Sequence, residues 1–401
     1  MNRFSQKVFI VLFSLTVLTF SLYLLLSDTR AYSDVENRNL QQVPTLSVDT
    51  IKNGQFMEDL EQFVVDQFPG RDQFLKGYLD YQLLTNKTFI YDYYLAEDDW
   101  ILPKPKIGFD EQAVDKAAAT FNQFAHVMKD KGISVFYANL PHKASMFNFL
   151  YPDSFDLDRQ LELTQTFFNQ LDEDAIHTVN MTDYFLRQDQ PLEKLYFKTD
   201  HHWNMNGAFL GYQYLLTELT KQLPDFTLDA KLLEQDYYDT LTLTDRTFRG
   251  SYNRQLYMEV DSEDDNKQMF TLVTDQMKDF NVTVNGDTMD HPFDVYGRAF
   301  FDDTTDLVSY SYLYTSDLGN VSIHNPHADN DDHLFVLKDS YTNALTLLLA
   351  QHFKQVTFFD YRYSTTSLKD TLQETDVDLL LVSYNNANVE GDAYEVMADV
   401  E

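Results

Sequence analysis

The sequence contains no cysteine, which rules out disulfides and thiolate metal ligands. Basic residues are scarce: 30 Lys and Arg stand against 64 Asp and Glu, a formal net charge of −34. Nothing here resembles a basic patch for phosphates, so nucleic acid is not an expected partner. The acidic excess reads as a well-solvated surface, and a charge-selected partner would be a neutral or cationic polymer. There is also no internal repeat and no low-complexity tract.

What is present suffices for a large core. The chain has 401 residues with 26 Tyr and 32 Phe, long enough for two or three domains or for one α/β enzyme with a long insertion. Residues 8–27 form an apolar run without a charge, long enough for one bilayer-spanning helix. Arg3 and Lys7 precede it, and Asp28, Asp34 and Glu36 follow, so the N-terminus is expected in the cytoplasm and the remainder outside. Only Thr29-Arg30-Ala31 follows the run, not a clean Ala-x-Ala site, which favours an uncleaved anchor over a signal peptide. An exported chain without cysteine fits the surface of a Gram-positive bacterium.

The expected organisation is a cytoplasmic tail and transmembrane anchor over 1–30, a tether with two helices over 31–90, and an α/β domain in two parts, 91–227 and 333–401. Between those parts, 228–332 reads as an inserted region, partly β and partly loop, with acidic runs and turn signals such as Asn285-Gly286-Asp287. Strands are expected at 133–140, 176–181, 334–338, 356–359 and 377–384, and helices at 111–131, 161–171, from about Asn206, 343–352 and 368–374. Such alternation predicts a parallel sheet covered by helices.

Two stretches carry chemistry. In Thr199-Asp200-His201-His202-Trp203-Asn204, the two-residue spacing on an extended backbone points Asp200 and His202 the same way and His201 elsewhere. In His333-Leu334-Phe335-Val336-Leu337-Lys338-Asp339-Ser340-Tyr341, an apolar strand runs into a serine at the start of a helix. A serine hydroxyl needs a base, and a histidine oriented by a carboxylate is the usual one. Ser340 as nucleophile, His202 as base and Asp200 as its orienting carboxylate form the candidate triad, with the amides at the helix start available to an oxyanion. The bland alternatives are that Asp339 and Ser340 only cap a helix, and that Asp200 and His202 are a polar pair or, with His201, metal ligands. Lys143, Arg254, Tyr341 and Trp203 are candidates for contact with substrate or oxyanion. Trp203 could equally fill the core.

Asp-His-His-Trp followed by Asn-x-x-Gly, with Lys338-Asp339-Ser340-Tyr341, Pro141-His142-Lys143, Glu36-Asn37-Arg38 and Asp66-Gln67-Phe68-Pro69-Gly70-Arg71, resembles the DHHW protein family. That family is related to the SGNH-hydrolase-like alginate O-acetyltransferases. The resemblance implies an SGNH-hydrolase-like three-layer α/β domain whose Asp-x-His falls on Asp200 and His202 and whose nucleophile falls on Ser340. Lys338 departs from the pattern, standing where SGNH enzymes typically carry glycine before Asp-Ser. The implied activity is O-acetyl transfer to, or acetyl ester hydrolysis on, a cell-surface polysaccharide, without a metal or other cofactor. A membrane-bound O-acyltransferase would then be the partner that supplies acetyl groups.

Two other readings compete. One is a metal-dependent phosphoesterase using Asp200, His201 and His202 with Asp329, Asp331, Asp332 and His333. The other is a non-catalytic polysaccharide-binding or assembly protein.

Overall fold

The computed structural model describes every residue except 1–2, 106–107, 109, 153–154, 156–158, 224–225, 391 and 401, so the first residues of the expected cytoplasmic tail lie outside the described part. The chain divides into two compact units, one of Met1–Ile90 with Arg254–Glu259, the other of Tyr91–Asn253 with Val260–Glu401.

In the first unit, α1 (Arg3–Leu26) contains the apolar stretch Phe4–Leu24, whose 21 residues rise about 32 Å, matching the ~30 Å hydrocarbon core of a bilayer. After a short helical turn at Val48–Lys52, two longer helices follow, α2 (Gln55–Asp66) and α3 (Arg71–Leu84), each entered through a left-handed glycine, Gly54 and Gly70. An ion-pair clasp joins the two early motifs. Arg38 grips the Asp66 carboxylate with both terminal nitrogens at 2.8 and 2.7 Å, the Gln41 amide adds a bond at 2.8 Å, and Arg71 reaches Glu36 at 2.7 Å. The Arg38 bond leads the forces that hold the Asp66 carboxyl down at about 2.

The second unit is built on an eight-stranded sheet. In chain order its strands are β1 (Ser134–Leu140), β2 (Ile176–Val179), β3 (Asn281–Val284), β4 (Asp287–Thr288), β5 (Asn320–His324), β6 (His333–Lys338), β7 (Gln355–Phe359) and β8 (Leu379–Asn385). Across the sheet they lie β4-β3-β5-β7-β6-β8-β1-β2. The five strands from β7 to β2 are parallel. Alternate residues of these strands feed two cores: Phe136, Leu334, Val336 and Leu381 on one face, Val135, Tyr137, Phe335, Leu337 and Leu380 on the other. Helix α6 (Met205–Gln222) buries Phe209, Tyr212 and Leu216 against the first face, while α4 (Glu111–Asp130) and α5 (Arg159–Asn169) bury Phe121, Phe124 and Phe167 against the second. A sheet buried on both faces explains why its strands read as near-continuous apolar runs.

Three expectations are corrected. The sheet is mixed, because the region read as an insertion supplies β3, β4 and β5, which pair antiparallel and extend the parallel part from β7. Val282, Val321 and Ile323 alternate into the same core as the parallel strands, which ties these segments to the sheet. Second, the helix expected over 343–352 is a 3-10 turn, Ser340–Leu345, followed by a short α7 (Thr346–Ala350). Third, Asp200 and His202 do not sit on an extended strand. They lie in a bent loop closed by the Tyr196–Trp203 bridge and by the bond from the Asn204 amide to the Leu195 carbonyl, 2.9 Å.

Candidate active site

The loop geometry begins with packing. Asn204 caps α6, accepting from the Asn206 and Gly207 amides at 2.9 and 3.3 Å, as its place before an apolar helical repeat predicts. Gly207 is required there because a Cβ would lie 2.4 Å from the Leu195 carbonyl oxygen. Trp203 is fully buried, and its indole donates to the Tyr341 carbonyl at 3.0 Å. It is a core residue, which corrects its candidacy as a substrate contact.

This frame turns Asp200 back on its own loop. Its Oδ1 accepts from the His202 amide at 3.0 Å and lies 2.6 Å from His202 Nδ1, while Oδ2 accepts from the Ser251 amide at 2.6 Å. His202 Nε2 lies 2.8 Å from Ser340 Oγ. Residues 138 positions apart thus meet in one hydrogen-bonded line, Asp200–His202–Ser340. Burial alone would raise the Asp200 carboxyl, but the charges of His202 and His201 and the bonds from His202 and Ser251 prevail and hold it far below the usual carboxylate range.

Ser340 stands where β6 gives way to the 3-10 turn. The cap of that turn is Asp339, which accepts from the Tyr341 amide at 2.9 Å. Its other oxygen accepts from the Asn385 amide at 2.6 Å and from the Asn385 and Asn388 side chains at 2.7 and 3.1 Å. With Asp339 as the cap, the Ser340 hydroxyl is left for His202. Lys338, the departure from the family pattern, is fully buried, and its Nζ donates to Asn343 Oδ1 at 2.7 Å. Burial lowers its pKa.

The remaining candidates fall into supporting places. Lys143 is fully buried, and its Nζ donates to the carbonyls of Lys198 and Asp200 at 2.6 and 2.8 Å. Desolvation pulls this ammonium well below the ordinary lysine range. It braces the loop backbone. Tyr341 is buried, its hydroxyl donating to the His201 carbonyl and accepting from the Lys143 amide at 3.1 Å. Arg254 belongs to the first unit, where it donates to Asn37 Oδ1 at 2.7 Å.

Three contributors were not read from the sequence. Ser251 supplies its amide to Asp200, and its hydroxyl lies 2.7 Å from His201 Nδ1. The signal was the neighbouring Gly250, where a Cβ would sit 2.3 Å from the Thr199 carbonyl oxygen. Tyr310 stacks face to face on the His202 ring, 3.7 Å between centroids at 5°. Asp265 accepts from the Lys198 and Thr199 amides at 2.7 and 2.9 Å and fixes the entry to the loop. The expectation that His201 faces away is also corrected: its ring lies 3.7 Å from that of His202, and its side chain is 29% exposed against 6%.

Ligand atoms of Asp200, His201 and His202 come within 4.8 Å of one another, as a metal site requires. Both ring nitrogens of His202 and Nδ1 of His201 are already in hydrogen bonds, to Asp200, Ser340 and Ser251, so a cation would have to break this line. Asp331 and Asp332 precede the first residue of β6 while Ser340 follows its last, so the six-residue strand holds the two groups about 20 Å apart.

Comparison with known proteins places this geometry in context. Residues 94–293 match the model of the SGNH hydrolase-like domain of acetyltransferase AlgX. The chain is similar to the structure of Bacillus cereus PatB1, with 26% identity and TM-score 0.67 over 75% of this chain and 98% of that one. The same protein with a sulfonyl adduct gives 24% and 0.65, over 75% and 99%. A DHHW family protein from Eubacterium siraeum DSM 15702 shares the fold at 19% identity and TM-score 0.55, over 75% and 92%. No curated protein matches.

Proposed function

Starting from a chain that carries an SGNH hydrolase-like domain of the AlgX kind, we propose that it is a membrane-anchored O-acetyltransferase, or acetylesterase, acting on a cell-surface polysaccharide outside the cell. The reading rests on one observation above all, the line of bonds at 2.6 and 2.8 Å from Asp200 through His202 to Ser340. Ser340 Oγ attacks the carbonyl carbon of an acetyl ester while His202 Nε2 takes the hydroxyl proton. The tetrahedral intermediate collapses, His202 returns that proton to the departing alcohol oxygen, and an acetyl-serine remains. An acceptor hydroxyl then gives its proton to His202 and attacks the same carbonyl carbon, and Ser340 Oγ leaves and recovers a proton from His202. With a sugar as acceptor the reaction is transfer; with water it is hydrolysis.

Asp200 holds the imidazole and offsets the charge it gains. The Ser340 amide at the start of the 3-10 turn is the donor offered to the oxyanion. Helix α1 is the anchor, and a multi-spanning membrane-bound O-acyltransferase is the partner that carries acetyl groups across the membrane of a Gram-positive cell. A non-catalytic polysaccharide-binding role is the alternative, in which the same fold binds glycan without turnover. Ser340→Ala separates the two: on a chromogenic acetyl ester, the acyl-transfer reading requires turnover to disappear with unchanged circular dichroism. Turnover retained in that variant would remove Ser340 as nucleophile.

A further inference from the structure

Helix α3 has one buried face and one exposed apolar face. Leu79 and Gln82 are buried, whereas Phe74, Tyr78, Tyr81 and Leu84 recur at helical spacing on another face and are 66%, 54%, 61% and 82% exposed. Lys76 and Asp80 mark a charged side roughly opposite that stripe, where Lys76 pairs with Asp80 and Glu259. An exposed stripe of this kind names no occupant by itself.

Ring contacts to α1 name it. Phe20 of the apolar stretch Phe4–Leu24 stacks on Phe68 at 5.1 Å between centroids, and Phe68 meets Phe74 at 6.0 Å. Phe20 lies four residues before the end of that stretch, about 6 Å of helix rise. If α1 crosses a bilayer, Phe68 and Phe74 share the depth of its last turn, at the boundary between acyl chains and headgroups. Tyrosines with an apolar ring and a polar tip suit that boundary. We propose that the Phe74–Tyr78–Tyr81–Leu84 face of α3 is a membrane-contacting surface that lies in the interfacial layer of the outer phospholipid leaflet. The inference rests on the reading of α1 as an anchor and goes beyond it, because an anchor alone requires no second point of contact.

The absence of cysteine makes the test clean. Tyr78→Cys and Asp80→Cys, in the full-length chain, receive a bimane fluorophore and are reconstituted in phosphatidylcholine vesicles brominated near the headgroup end of the acyl chains. Interfacial burial of about 5–10 Å predicts quenching at least about twofold stronger at position 78 than at position 80. Equal, weak quenching at both positions in a chain that resists alkaline carbonate extraction leaves the anchor intact and rejects the surface. Extraction of the chain by carbonate removes the anchor and the surface together. If position 78 crosslinks to a second membrane protein in cells and is not quenched in lipid-only vesicles, the face belongs to a protein partner and the proposal is overturned.

Discussion

At the residue scale, the line from Asp200 to Ser340 depends on a carboxylate kept ionised in a buried place. Its pKa is depressed, so its contribution to stability is complete above the unfolded carboxylate value of about 4 and is lost as pH falls through the folded value. Asp200→Asn should therefore lower stability at neutral pH, and urea denaturation across pH should show the gap from the parent narrowing on acidification. The same variant should reduce kcat by several orders of magnitude, on the order of 10⁴ where an orienting aspartate is amidated in a serine protease, since the amide favours the wrong imidazole tautomer. Ser340 was legible because an apolar strand runs up to it, and Asp200 and His202 because of their residue types and two-residue spacing, although the extended backbone expected for that spacing is absent. Tyr310 was not, since a ring stacked on His202 from 108 residues away leaves no local pattern.

At the scale of elements, the periodic segments were readable and the shape of the loop that holds Asp200 and His202 was not. The helix expected over 368–374 is Leu368–Glu374, and β6, β7 and β8 lie within two residues of their expected bounds, because buried apolar runs leave a strong signal. The Asp200–His202 loop was misread as extended because the forces that bend it come from elsewhere: Lys143 on two of its carbonyls, Asp265 on its entry and Ser251 on its carboxylate. Gly250→Ala tests this support. A Cβ there would approach Thr199 O to 2.3 Å, so the variant should lose about 1–3 kcal/mol in denaturation and also lose kcat as the Ser251 amide moves off Asp200. The clasp in the first unit follows the same logic with a different readout. Asp66→Asn removes the charge that Arg38 holds, and hydrogen exchange over residues 31–42 should accelerate at neutral pH. Because the Asp66 carboxyl is held down at about 2, the parent should lose that protection only as pH falls from about 4 toward 2.

At the scale of the whole molecule, the proposed acyl transfer draws on a sheet covered on both faces and on a serine that follows a strand's carboxyl end. Open α/β sheets place their sites at those strand ends. The hydrogen bonds already held by His202 and His201 predict that a chelator such as EDTA leaves ester turnover unchanged, which an activity assay checks and which a metal-dependent phosphoesterase would fail. The central claim is the covalent step. Intact-protein mass spectrometry of the full-length chain, acid-quenched during turnover of an acetyl ester, should show one added acetyl group, and peptide mapping should place it on Ser340. An unmodified chain under active turnover, or acetyl mapped to another residue, would contradict the account.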